Sequence, residues 1–153
     1  MNESKISHLE MIQNIITRMN SNSFLLKGWT VTIFVGLFAF ANVTEMDSRF
    51  IIIALIPTVI FMFLDSYFLR QERLFRHLYE YVRTTNDRYI DFSMSTKRYQ
   101  KQKDTKYLKV ILSKTIWPCY VPIIAVTLII FLKNPYVTNF IFSKWHAILN
   151  YLS

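Results

Sequence analysis

Two charged side chains stand where charge is costly. Asp65 interrupts Phe50–Leu69, FIIIALIPTVIFMFLDSYFL, a run otherwise without charge, and Lys27 does the same in Phe24–Val43, FLLKGWTVTIFVGLFAFANV. Each run is about 30 Å long as a helix, enough to cross the hydrocarbon core of a bilayer. An isolated carboxylate or ammonium there is destabilised by roughly a few kcal/mol, less where a lysine stem lets the charge snorkel to the interface. Either the two ions pair, or Lys27 snorkels to headgroups while Asp65 reaches water; an ion or proton path past Asp65 is the functional alternative. A second chemistry lies in Arg73, Arg76, Arg83, Lys97 and Arg98, interleaved with tyrosines. Guanidinium and ammonium groups hold phosphate oxygens and tyrosines stack on bases, which suits an anionic ligand such as a nucleotide. The same residues also suit a solvated loop against anionic lipid headgroups, and no glycine-rich phosphate loop accompanies them.

Catalytic chemistry finds little footing. The histidines are His8, His77 and His146, each alone in its segment, and no HExxH, aspartate pair or nucleophile–base constellation is present. One cysteine, Cys119, excludes an internal disulfide and a multi-cysteine metal site. The chain is therefore expected to be no enzyme and to need neither metal nor cofactor.

These residues need elements to position them. Leu9, Ile12, Ile16 and Met19 recur at helical spacing, so 6–20 reads as an amphipathic helix, capped by Ser7 with Glu10 or by Ser4. Ser21-Asn22-Ser23 reads as a break before a first span over 24–43. That span holds both glycines, Gly28 and Gly36, near one face, where they permit close helix approach. The short link Thr44–Arg49 forces an antiparallel hairpin with a second span over 50–69, in which Pro57 permits a kink. No Pro or Gly stops the second helix, which continues to 86 with Leu74, Leu78 and Val82 on one stripe and Glu72–Arg76 and Glu80–Arg83 at pairing distance. Residues 87–115 are basic, with a short helix expected from Asp104 or Thr105 through Lys114. A third span occupies 116–132, and 136–152 is an interfacial amphipathic helix or a marginal fourth span.

With 52% hydrophobic residues gathered in blocks, a membrane protein of one domain is expected over a soluble core. The net charge of +8 reads as topology and contact with anionic headgroups, and no nucleic acid partner is expected. The start, MNESKISHLE, lacks the pattern of a cleavable signal, so the spans themselves would direct insertion. Basic residues crowd the segment from Arg70 to Lys114, whereas the 44–49 link carries Arg49 against Glu45 and Asp47. The positive-inside rule makes the long segment and the N-terminus cytoplasmic. Lys27 then lies about 4.5 Å, and Asp65 about 6 Å, inside the cytoplasmic edge of antiparallel neighbours. At one level, the two are expected to pair, within a subunit or between subunits.

The segments Asn22-Ser23-Phe24, Leu26-Lys27-Gly28-Trp29, Leu64-Asp65-Ser66-Tyr67 and Leu69-Arg70-Gln71-Glu72-Arg73-Leu74-Phe75-Arg76 resemble those of a family of uncharacterised small bacterial inner-membrane proteins. The resemblance covers roughly residues 7–83 and implies a bacterial source and a multi-span fold. In size and layout the chain is also similar to small transmembrane effectors of bacterial antiphage systems, which oligomerise and compromise the membrane. The expectation is an all-α integral membrane protein with three transmembrane helices, amphipathic helices at both ends and a helical cytoplasmic extension of the second span. It would sit in the inner membrane with its N-terminus cytoplasmic, as a homo-oligomeric effector or pore-type subunit, or alternatively as a non-catalytic scaffold recruiting a cytoplasmic protein through residues 70–115.

Overall fold

The computed structural model describes residues 3–41 and 52–133. The 44–49 link, the last residues of the first span, the start of the second and the 136–152 helix fall wholly or partly outside the described residues. Regular structure within them is entirely helical: α1 (Glu3–Ala41), α2 (Leu55–Thr84), a short α3 (Tyr107–Ile111) and α4 (Trp117–Lys133), with 3-10 turns at Asp87–Tyr89, Lys97–Tyr99 and Lys103–Thr105.

The first element departs from its expected boundaries. The anticipated break at Ser21-Asn22-Ser23 does not exist, and α1 runs as one helix through it, joining the amphipathic 6–20 segment to the first apolar run. The reason is register. Lys5, Leu9, Ile12, Ile16, Ser23 and Thr30 are all buried, and with Met19 and Lys27 between them they recur every three or four residues along one stripe. Serine and asparagine are only modest helix formers, but a cost of a few tenths of a kcal/mol each is small beside roughly 2 kcal/mol for a fully buried isoleucine such as Ile12.

α2 packs antiparallel to α1 and buries Thr58, Asp65, Leu69 and Glu72 on one stripe and Leu74, Leu78 and Val82 on the next. In its polar half the two helices close on a core of Leu9, Ile12, Ile16, Leu78, Val82 and Ile90, with Phe75, Tyr79, Tyr81, Met94 and Tyr99 against it. Lys5 secures the end of the hairpin, its Nζ donating to the Thr85 carbonyl at 2.7 Å and lying 3.1 Å from Asp87. A second core joins Leu69, Val110, Ile116 and Tyr120, bringing α3 and the start of α4 against the middle of α2. α1 and α2 are long and apolar enough to cross a membrane; α4 is apolar but shorter. At about 58 and 45 Å, α1 and α2 also exceed a hydrocarbon core of about 30 Å.

Residues 87–106 hold their shape with little helix. Thr105, fully buried, donates toward the carbonyls of Tyr99, Gln100 and Gln102 at 3.0–3.2 Å. It is therefore a loop organiser rather than a helix cap, and α3 is shorter than expected, spanning Tyr107–Ile111. From α2, Arg70 donates to the Thr105 carbonyl at 2.9 Å and Arg73 to that of Asp104 at 2.6 Å. Phe92 takes a positive φ of 51° and sets its ring edge-on to buried His8.

A continuous α1 makes Asn22→Pro disruptive. A proline there removes the bond to residue 18 and clashes with its carbonyl, costing about 3 kcal/mol or more. Denaturant titration of the detergent-solubilised protein should show that loss; a neutral result would place a joint at 21–23.

Candidate functional site

Where α1, α2 and α4 meet, a polar cluster lies between the apolar stretches. Ser23 and Lys27 are one turn apart on α1, so both face Asp65 on α2. Lys27 Nζ lies 2.6 Å from Asp65 Oδ2 and donates to Ser23 Oγ at 2.8 Å. Ser23 Oγ in turn donates to Asp65 Oδ1, closing a three-membered ring of one ion pair and two hydrogen bonds. Asp65 and Ser23 are buried, while the Lys27 side chain retains 22% exposure. From α4, fully buried Tyr120 turns its phenol toward Thr30 and Asp65 and sits 3.4 Å from the Phe61 carbonyl. Thr30 satisfies its own hydroxyl on the Leu26 carbonyl at 2.7 Å.

The chemistry of this arrangement is a clamp. Removing a carboxylate and an ammonium from water costs several kcal/mol per ion, offset only when attraction and hydrogen bonds are well aimed. Here one carboxylate oxygen accepts from the Ser23 hydroxyl and the other faces the Lys27 ammonium as an ion pair, while that hydroxyl both accepts and donates. The ring ties α1 to α2, and Tyr120 seats α4 against it. Lys27 and Asp65 meet within one chain. Ser23, Thr30 and Tyr120 were not anticipated as partners. Ser23 and Thr30 lie four before and three after Lys27, a spacing that places them on its face; nothing in the spacing of Tyr120 points to the cluster.

The five cations considered for an anionic ligand do not gather in one place. Arg73 is engaged with the Asp104 carbonyl, Arg76 bonds Glu72 at 2.7–2.8 Å and Arg83 bonds Glu80 at 2.7–3.1 Å, each along or beside α2. Lys97 and Arg98 instead share a groove of about 350 Å³ with Leu78, Tyr81, Asp91, Ser93 and Ser95. Arg98 lies over the Tyr81 ring, 4.8 Å from its centroid, and over that of Tyr99 at 5.9 Å. Hydrogen bonding to Tyr81, then to Tyr99, raises the Arg98 pKa above its ordinary value, and the hydrogen bond and charge of Glu80 raise that of Arg83. Both remain cations throughout the physiological range. His77, stacked on Tyr99, reaches the Asp104 carboxylate at 3.0 Å. Among the described residues no group of three or more His, Cys, Asp or Glu side chains converges on a metal position.

The clamp makes its members interdependent. Lys27→Met strands a buried carboxylate and should cost about 3 kcal/mol in a denaturant titration, whereas Lys27→Met with Asp65→Asn should recover much of that loss. Tyr120→Phe should cost about 1 kcal/mol. Additive losses for the two charge substitutions would show that the ions are uncoupled.

Comparison with protein-family models, curated proteins and solved structures yields no match to this chain.

Proposed function

We propose that the chain is a multi-pass protein of the bacterial inner membrane that acts without catalysis, as a homo-oligomeric membrane effector or pore-type subunit, with antiphage defence as its setting. One observation carries the membrane reading: the polarity of its apolar stretches is reversed relative to a soluble protein. Phe24, Trp29, Phe40, Ile56 and Phe63 point outward, with Phe24 at 76% exposure, whereas the charges Lys27 and Asp65 turn inward and pair. Water disfavours so large an apolar surface, and lipid disfavours unpaired charge, so the pattern suits lipid on both counts. α4, 17 residues and about 25 Å as a helix, is the third span of this reading. The cations from Arg70 to Lys114 orient that segment and the N-terminus toward the cytoplasm.

The homo-oligomer is supported by one further feature. On α1, nothing approaches within 4 Å of the positions that a Cβ would take at Gly28 or Gly36. Among the described residues that side of the helix is open, and its glycines admit a neighbouring helix closely. A scaffold that recruits a cytoplasmic partner through residues 70–115 is the second reading, and the Lys97–Arg98 groove favours it by offering two cations beside an aromatic wall.

Controlled expression in a bacterial host, followed with a potential-sensitive dye, separates the two. The effector reading expects depolarisation, and expects Gly36→Leu to abolish it at unchanged protein level, because the added side chain meets open space among the described residues and blocks a neighbour. Stable potential together with stoichiometric capture of one soluble protein, lost in Lys97→Gln/Arg98→Gln, would replace it with the scaffold.

A further inference from the structure

α3 is a five-residue helix with its polarity divided in an unusual way. Val110 is fully buried against Leu69, Ile116 and Tyr120, which anchors the helix to α2 and α4. Leu108 and Leu112, one turn apart on the opposite side, stand 76% and 70% exposed. Neither leucine contributes to a core, and a short helix gains nothing in water from displaying both. Its height on the molecule is informative. Leu69 is the last apolar residue of α2 before Arg70, and Trp117, exposed at the start of α4, has the amphipathic ring that favours a membrane–water boundary. α3 therefore lies at the level where the apolar stretches give way to charge.

Beside those leucines is a cavity of about 420 Å³ lined by Arg73, Lys103, Asp104, Leu108, Lys109 and Leu112. One wall is apolar and the other holds three cations. Its single acid, Asp104, is turned to His77 at 3.0 Å, and its backbone carbonyl takes up Arg73 at 2.6 Å, which fixes that guanidinium at the rim. Lys103 and Lys109 are exposed. Cations over an apolar floor, at the depth of a lipid phosphate, complement one occupant: the headgroup and upper acyl chain of an anionic phospholipid.

We propose that the α2–α3 groove is a binding site for an anionic phospholipid of the cytoplasmic leaflet, whose phosphate lies among Arg73, Lys103 and Lys109 and whose acyl chains cover Leu108 and Leu112. The site rests on the membrane reading above and is independent of effector or scaffold activity. It differs from the groove at Lys97 and Arg98, which lies against Leu78 and Tyr81, farther along α2 from the apolar stretch.

Native mass spectrometry of the full chain, purified in detergent with phosphatidylglycerol and phosphatidylcholine in equal amounts, tests this. The expected result is roughly tenfold or greater preference for phosphatidylglycerol, from attraction of about 1 kcal/mol per cation near the phosphate. Lys103→Gln/Lys109→Gln should remove most of that preference; both side chains are exposed, so the fold should persist, and Lys97→Gln/Arg98→Gln should leave it intact. Leu108→Ser/Leu112→Ser should weaken retention while keeping the headgroup preference. Equal retention of the two lipids, or preference unchanged by the lysine substitutions, would overturn the site. Displacement of the lipid by inorganic phosphate at millimolar concentration would identify a soluble anion as the occupant and overturn the lipid assignment. Failure of the membrane reading itself would show separately, as release of the protein from membranes by alkaline carbonate.

Discussion

A carboxylate with no access to water constrains everything around it. Asp65 cannot be left alone in the interior, and the ring formed with Ser23 and Lys27 answers that constraint from a single face of α1. The consequence is register. Sliding α1 by one residue would rotate Ser23 and Lys27 by about 100° and strand the acid. The alignment that satisfies Asp65 also sets Ile12 and Ile16 against Leu78 and Val82, and Lys5 against Thr85. Apolar packing alone tolerates slippage between similar side chains; an ionic ring does not.

This order was partly legible in the chain. The apolar runs, the antiparallel hairpin and the uninterrupted passage from the second run into the arginine-bearing helix follow from hydropathy and from the lack of Pro or Gly. The depth of Lys27 and Asp65 from their run ends also put them at one level. The continuity of α1 was hidden because the buried stripe changes character midway, from Leu9, Ile12 and Ile16 to Ser23, Lys27 and Thr30, without changing phase. Reading only apolar periodicity loses the stripe at the change and invites a break at Ser21-Asn22-Ser23. Tyr120 could not have been found by spacing: its role depends on how α4 returns to the bundle, a long-range matter that no local pattern encodes.

The basic segment illustrates a different limit. Its residues offer many cations, and charge alone suggested one pocket. Geometry divides them, because Arg76 and Arg83 find acids along their own helix while Arg70 and Arg73 hold the carbonyls of Thr105 and Asp104. Arginine here works partly as a structural donor that substitutes for the missing secondary structure of residues 87–106. Among the outward-facing cations, Lys97 with Arg98 and Lys103 with Lys109 line separate walls. Segment charge is readable from composition; its partition between internal scaffolding and outward display requires the carbonyl positions.

The absence of a joint in α1 has a mechanical consequence. The helix is a rod of 39 residues whose clamp, at Ser23 and Lys27, lies near its midpoint. About 30 Å of helix precedes Ser23 and about 21 Å follows Lys27. The rod holds the Lys5 contact to Thr85 and the clamp at Asp65 about 27 Å apart. Those two contacts therefore cannot shift along α2 independently, and α1 acts as a rigid spacer between the polar end of the hairpin and its buried ions.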